Sequence, residues 1–330
     1  IKENNSNDMK RFGRTIYEKL FKPLEKAVRK STEIIIIPDG KLAAIPIESL
    51  VIDKKESGQY VFLLEKYRIK YIQSASILSV LRKHYQRDRE TQNFIGFGDP
   101  VYDYKKFKQE KIELAALKQQ TPKNEDEIKE MYRSRYARAG GILPRLQGSG
   151  EEVKTIARLF EKKSQKCAAH IRDKAKEENA KVPEMKDYDF IHFACHGLLN
   201  DDFQCLVLSQ DIPGAKDDGY FTLNEIMNCD YTAKLVVLSG CETGSGKMER
   251  AEGVTGLTRA VMYAGTPSVV ASLWKVDDNA SKELMVRFYK NILEKNMDKN
   301  EALRQAKLQL LKSPQYSSPL FWSAFVLYGE

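Results

Sequence analysis

Two stretches decide how this chain folds: 188-YDFIHFACHG-197 and 233-AKLVVLSGCETGSG-246. Each is a short apolar run, partly β-branched, that stops at glycine. Runs of this kind predict buried strands of the parallel type. The first ends on His196 and the second on Cys241. Two neighbouring parallel strands would carry both side chains to the carboxyl edge of one sheet, where open α/β sheets bind ligands. A thiol beside an imidazole at that edge has the composition of a nucleophile with its base.

Strand parity separates the two nearby cysteines. His192, Ala194 and His196 share one face of an extended strand, and Phe193 and Cys195 share the other. Cys195 therefore points away from His196 and reads as a small core residue, which leaves Cys241 as the nucleophile. Glycines on both sides of Cys241 permit a tight turn that exposes its sulfur. In the chemistry this suggests, the imidazole takes the thiol proton, the thiolate attacks a peptide carbonyl, and His196 protonates the leaving amine. The backbone N–H groups of Gly197 and Cys241 are the expected oxyanion donors, such a donor being worth about 3 kcal/mol. His84, His170 and His192 read as structural. Asp201 and Asp202 read as loop residues, and Glu242 has no assigned role.

Outward from this pair, strands alternate with helices. Residues 93–100, 166–171, 205–209, 268–274 and 320–329 predict strands, and 220–228 a hairpin arm leading into a helical turn. A helix is expected after Gly148, with Ser149 as N-cap and Glu152 completing a capping box. Others are expected over 173–185, 252–264, 277–293 and 300–311. In the helix at 252–264, Gly253, Gly256, Ala260 and Ala264 line one face, and Gly265 suits the position just past its end. Upstream, 12–30 predicts a helix kinked near Pro23, and Pro38-Asp39-Gly40 a turn between two strands. Residues 60–73 read as a strand or hairpin, followed by a helix from Ala75 to His84. The alternation predicts an α/β fold, a mostly parallel sheet with helices on both faces, plus an N-terminal β-rich subdomain. The expected division is 1–91 for that subdomain and 92–330 for the core, which carries a charged helical insertion at about 103–138.

Composition narrows the setting. With 330 residues, 42% of them hydrophobic, the chain can bury a sizeable core. It has no apolar run of membrane-spanning length and no signal-peptide pattern at its start. Its five cysteines include no Cys-x-x-Cys pair, which argues against a disulfide framework or a structural zinc site. Reduced thiols suit the cytoplasm. The net charge is +8, from 54 basic and 46 acidic residues. Residues 1–30 hold nine Lys/Arg against four Asp/Glu, a surface that could contact nucleic acid or an acidic protein, or be a solvated helix face. The first residue is not Met, and a domain upstream is expected.

At these residues the chain resembles the CHAT peptidases, the caspase-like family often attached to tetratricopeptide repeats. The matching stretches are FIHFACHG (190–197), LVVLSGCETGSG (235–246), EGVTGLTRAVMYAG (252–265), SVVASLWKVDDNAS (268–281) and WSAFVLYG (322–329), with IPDGKLAAIPIESL (37–50) and GDP (98–100) upstream. The resemblance implies a caspase/separase-type fold and a Cys–His dyad on Cys241 and His196, without a third member, a metal or a cofactor. It implies limited cleavage of a protein partner under the control of an activator protein or ribonucleoprotein. Some members act in bacterial defence, including protease partners of an RNA-guided CRISPR effector. A tetratricopeptide-repeat region upstream fits the same pattern.

In this clan an acidic pocket selects Arg or Lys before the cut bond. The acidic candidates here are Asp99, Asp277 and Asp278. The competing reading is an apolar pocket lined by Trp274 and Val276. Asp99 could equally be a turn residue, and Asp277 or Asp278 a helix N-cap. The loop 244–253 is expected to be mobile until an activator orders it. A rival to the enzyme reading is an idle caspase-like scaffold that binds protein or RNA through its basic surface.

Overall fold

The computed structural model describes residues 3–84, 91–118, 143–163, 166–199, 204–240 and 249–330. The strands are β1 (Glu33–Ile36), β2 (Val51–Lys54), β3 (Tyr60–Phe62), β4 (Arg68–Tyr71), β5 (Phe94–Pro100), β6 (Cys167–Arg172), β7 (Phe190–Ala194), β8 (His196–Leu199), β9 (Gln204–Val207), β10 (Tyr220–Thr222), β11 (Leu235–Ser239), β12 (Ser268–Ser272) and β13 (Phe325–Gly329). The longer helices are α1 (Glu3–Ile16), α2 (Ala75–His84), α3 (Tyr104–Lys118), α4 (Gln147–Phe160), α5 (Glu249–Tyr263), α6 (Asp278–Lys295) and α7 (Lys299–Leu311).

Eight strands form one sheet in the order β1-β4-β13-β12-β11-β7-β5-β6. All its neighbours run parallel except β12 and β13, which are antiparallel. Side chains alternate between two cores, as the period of a strand requires. Ile95, Phe97, Ile191, Phe193, Val236 and Leu238 join Val254, Leu257 and Val261 of α5 on one face. Phe94, Phe190, Leu235 and Val237 join residues of α4, α6 and α7 on the other. Each such side chain, fully buried, contributes roughly 1.5–3 kcal/mol. The sheet is thus mostly parallel with helices on both faces, as the alternation of elements predicts.

Of the small residues expected on one face of α5, Gly256 is half-buried near Gln204 and Leu223, and the surroundings of Gly253 lie outside the described residues. Ala260 and Ala264 are buried in the first core. Gly265 follows with φ +112°, and a Cβ there would lie 2.9 Å from the Tyr231 carbonyl oxygen, so only glycine fits.

Several sequence expectations differ from the structure. The run 188–196 is not one strand: it bends at Cys195, and β8 belongs to a separate antiparallel sheet, β10-β9-β8. Strand parity therefore holds only to Ala194. Cys195 is nonetheless buried in the first core with Phe193. Residues 173–185 form no long helix, only the turns Glu177–Ala180 and Pro183–Asp187, because Pro183 cannot continue the first. After Pro38-Asp39-Gly40 comes a 3₁₀ helix, Gly40–Ala44, rather than a strand. The segment 60–73 has a helical turn, Leu63–Lys66, between β3 and β4. In 320–329 a turn at Pro319–Trp322 precedes β13, so that strand is shorter than the apolar run. Near Pro23 the N-terminal helix passes through a π turn and a 3₁₀ turn, which is the expected kink.

Two strands from residues 1–91, β1 and β4, extend the large sheet, while β2 and β3 pair apart. Of the charged insertion, α3 is described and residues 119–138 lie outside the described residues, as do 244–248 of the glycine-rich loop.

Candidate active site

The site begins with register. Ala194 at the end of β7 pairs with Gly98 of β5 on one side and Ser239 of β11 on the other. β7 and β11 therefore end at one level, and β5 runs on to Pro100. The chain passes from β5 through α4 to β6 on the far side, then returns to β7 next to β5. That reversal of strand order is where open α/β sheets place their ligand crevice. A pocket lies here, lined by Glu152, His196, Gly240, Val276 and Asp278 among others.

His196 is fully buried. Its Nε2 lies 2.7 Å from the Pro144 carbonyl oxygen. A carbonyl only accepts, so the ring donates Nε2–H, and Nδ1 is left as the basic nitrogen. The Tyr102 ring lies 5.0 Å from the imidazole, and its hydroxyl accepts the His196 backbone N–H at 3.2 Å. Gly197 pairs with Leu206 in the smaller sheet. Gly240 has φ +99°, and a Cβ there would meet the Cys195 carbonyl oxygen at 3.1 Å. Gly240 thus has the backbone freedom the expected turn calls on, while the rest of that turn lies outside the described residues. Cys241 itself lies outside the described residues, as do Asp201, Asp202 and Glu242.

Helix α4 supplies what the sequence hid. It starts at Gln147, so Ser149 is inside the first turn rather than at the N-cap. Ser149 Oγ donates to the Leu146 carbonyl and accepts the Asp99 backbone N–H, both at 2.8 Å. Glu152 closes no capping box. Its Oε1 lies 2.8 Å from His192 Nε2, and His192 Nδ1 lies 3.2 Å from the Tyr289 hydroxyl of α6. All three side chains are buried. Burial, then the Glu152 charge, pushes the Tyr289 phenol well above its ordinary value, so it is a hydroxyl able to donate to Nδ1. His192 then offers Nε2–H to Glu152.

The pocket candidates separate in space. Asp99 is buried in an ion cluster: Arg145 approaches it at 2.7 Å and Arg172 at 3.1 Å, and both guanidiniums also reach Glu110. Asp277 is exposed and caps α6 by accepting the N–H groups of Asn279 and Ala280. Asp278 is half-buried and lines the pocket beside His196. Val276 lines it too, whereas the indole N–H of Trp274 donates to the Leu320 carbonyl at 3.0 Å. Burial, then the charge of Glu152, raises the Asp278 carboxyl above its ordinary value. Gly148 makes this approach possible: a Cβ there would lie 2.5 Å from the Asp278 Cβ.

Other thiols and carboxylates among the described residues are engaged elsewhere. Burial pushes Cys205 up to about 12 and raises Cys229, which keeps both as thiols. Glu177, Asp217 and Glu225 form a carboxylate trio whose oxygens lie within 4.8 Å of one another. The Lys181 ammonium sits among them at 2.7, 2.8 and 3.0 Å, where a bound cation would otherwise be expected. His170 stacks on Phe97, its pKa lowered by burial and then by Lys174.

A CHAT domain family model matches residues 10–330. The chain belongs to the CHAT domain family. Tetratricopeptide repeat protein 28 of Homo sapiens is 34% identical over 109 residues, which are 33% of this chain and 4% of that protein. The Mus musculus protein of the same name is 32% identical over 109 residues, with the same shares covered. The match therefore spans a small fraction of these relatives' length. Among solved structures, separase in the Saccharomyces cerevisiae separase–securin complex has a TM-score of 0.50 at 17% identity, covering 89% of this chain and 15% of that one. The Arg-specific cysteine proteinase gingipain R has a TM-score of 0.53 at 12% identity, covering 98% and 67%. This CHAT domain thus has the fold of the caspase-like cysteine proteases. No helix among the described residues is long and apolar enough to cross a membrane.

Proposed function

We propose that this CHAT domain is a cysteine endopeptidase that makes limited cuts in a protein partner. The observation that carries this reading is the register: Ala194 faces Ser239, and His196 and Cys241 each follow two residues later. The two candidates would leave adjacent strand ends at the same level. His196 Nδ1 takes the proton of Cys241. The sulfur bonds to the peptide carbonyl carbon, and the C–N bond breaks as the amine leaves with that proton. Water then hydrolyses the thioester. The backbone N–H groups of Gly197 and Cys241 hold the oxyanion. Val276 and Asp278 line the substrate side, with Trp274 behind them.

The partners proposed are the protein substrate, an activating protein or ribonucleoprotein, and a tetratricopeptide-repeat region like the one for which the curated relatives are named. The net charge of +8 favours a second reading, an idle scaffold binding through a basic surface. One experiment separates the two. Incubation with a candidate substrate should give cleavage that Cys241→Ala and His196→Ala each reduce by about 10²–10⁴-fold or more, on the scale expected for lost acid–base or nucleophilic catalysis. Cleavage that persists in either variant would reject the dyad.

A further inference from the structure

The carbonyl that receives the His196 ring proton is itself held in place. The Pro144 carbonyl and the Arg145 N–H belong to one planar peptide unit. Whatever fixes Arg145 therefore also aims the oxygen that lies against His196 Nε2. On the amino side, the proline ring restricts the backbone. On the other side, Arg145 grips buried Asp99 through its fork, with Nε 2.8 Å from Oδ1 and Nη2 2.7 Å from Oδ2. Asp99 stands near the end of β5, and Tyr102 just beyond it accepts the His196 backbone N–H. The short stretch 99–102 thus reaches His196 twice, at the ring through Arg145 and at the backbone through Tyr102. The backbone here is strained. Asp99 has φ +45°, and Arg172, the second guanidinium on its carboxylate, has φ +59°. Left-handed conformations at non-glycine residues persist only where the surroundings over-determine them, and they gather at functional sites.

Resting on the peptidase reading above, we propose that Asp99 and Arg145 are positioning residues for His196. Their ion pair fixes the peptide between residues 144 and 145. Its carbonyl then holds the imidazole as the tautomer with Nε2–H and keeps Nδ1 as the basic nitrogen. If the pair opens, the carbonyl loses its aim, the ring can turn, and the two nitrogens compete for the thiol proton. Arg172 and Glu110 of α3 complete the cluster, two guanidiniums against two carboxylates. Phe107 of α3 is buried over it, its ring 4.8 Å from the Arg172 guanidinium. The charged insertion is thereby connected to His196. A desolvated ion cluster is an inefficient source of stability, whereas a bidentate fork is an efficient way to fix a direction. Asp99 does not line the pocket, so its carboxylate serves the loop and not a substrate.

The test reads the ring itself, by NMR of the purified chain carrying isotope-labelled histidine. His196 Nε2–H should give a slowly exchanging proton signal, assigned by its absence from His196→Ala. His192, whose Nε2 lies against Glu152, supplies a second buried ring proton as an internal reference for the fold. Asp99→Asn keeps the side-chain shape and tolerates a positive φ, and Arg145→Met removes the fork. Each should make the His196 ring proton exchange about fivefold faster or more, as a loosened hydrogen bond requires, and leave the His192 signal unchanged. Arg145→Lys keeps the charge without the fork and should fall between. In cleavage of a candidate peptide, the same variants should lower kcat severalfold with KM little changed. Unaltered His196 exchange in both Asp99→Asn and Arg145→Met overturns the proposal. Faster exchange of both ring protons together does so as well, since it marks a general loosening, and so does an unchanged kcat in a variant whose His196 proton exchanges faster. Cleavage that survives Cys241→Ala would reject the peptidase reading and leave the ring result standing. Should Arg145→Met fail to fold, Asp99→Asn and Arg145→Lys carry the comparison.

Discussion

At the scale of single residues, the site depends on atoms whose partners are far off in sequence. The places of His196 and Gly240 just past the ends of β7 and β11 could be read from the sequence, because a strand end followed by glycine has a local signature. Glu152 could not. Its spacing after Ser149 matches a helix cap, yet its partner His192 lies 40 positions away, and theirs with Tyr289 a further 97. No local pattern encodes such contacts. Asp99 failed as a clear reading for the same reason, since its partners Arg145 and Arg172 come from separate segments. Gly240 provides the residue-scale prediction. At φ +99°, with a carbonyl oxygen 3.1 Å from where its Cβ would be, Gly240→Ala is strained twice over. It should lower stability by about 1–3 kcal/mol, read by urea unfolding, and depress any Cys241-dependent cleavage more than the lost stability accounts for.

At the scale of elements, the clearest departure from expectation is the start of α4. Reading Ser149 as N-cap put that start three residues late, since the N-cap is Leu146, and boundaries are set by tertiary contacts that periodicity does not report. The early start brings Gly148 against Asp278. Gly148→Ala would set two backbone-anchored carbons 2.5 Å apart, so one helix must shift. The expected cost is about 1–3 kcal/mol, visible as a lower denaturant midpoint, with weakened binding in the adjacent pocket.

The short turn at Glu177–Ala180 has a different consequence. Burial pushes Glu177 from 4.5 up to about 7, against the pull of Lys181 and with the help of Glu225. A carboxyl with a raised folded-state value binds its proton more tightly when folded. Its contribution is full below the unfolded value of about 4.5 and is lost as pH rises through about 7. Thermal melts should show this loss across that window, and Glu177→Gln should flatten it.

At the scale of the whole molecule, the alternation of strands and helices made the sheet legible, but not its membership. The N-terminal segment reads as a β-rich unit of its own, whereas β1 and β4 lengthen the large sheet. That segment is also held by a buried ion pair between Glu48 and Lys307 of α7, with Tyr71 Oη donating to the same carboxylate. Lys307→Met alone strands the Glu48 charge and should cost about 3–5 kcal/mol, while Lys307→Met with Glu48→Gln should recover most of it. A double-mutant cycle on unfolding free energies checks both outcomes.

The position of β13 bears on how this domain assembles. It lies between β4 and β12, so the sheet is closed from the middle by residues 325–329. Without β13, the pair β1 and β4 has no neighbour in common with the strands around His196. Neither group can join the other in one sheet until Phe325–Gly329 is in place. The segment that joins the two groups is thus the one latest in sequence among the strands, so the large sheet has no complete local precursor.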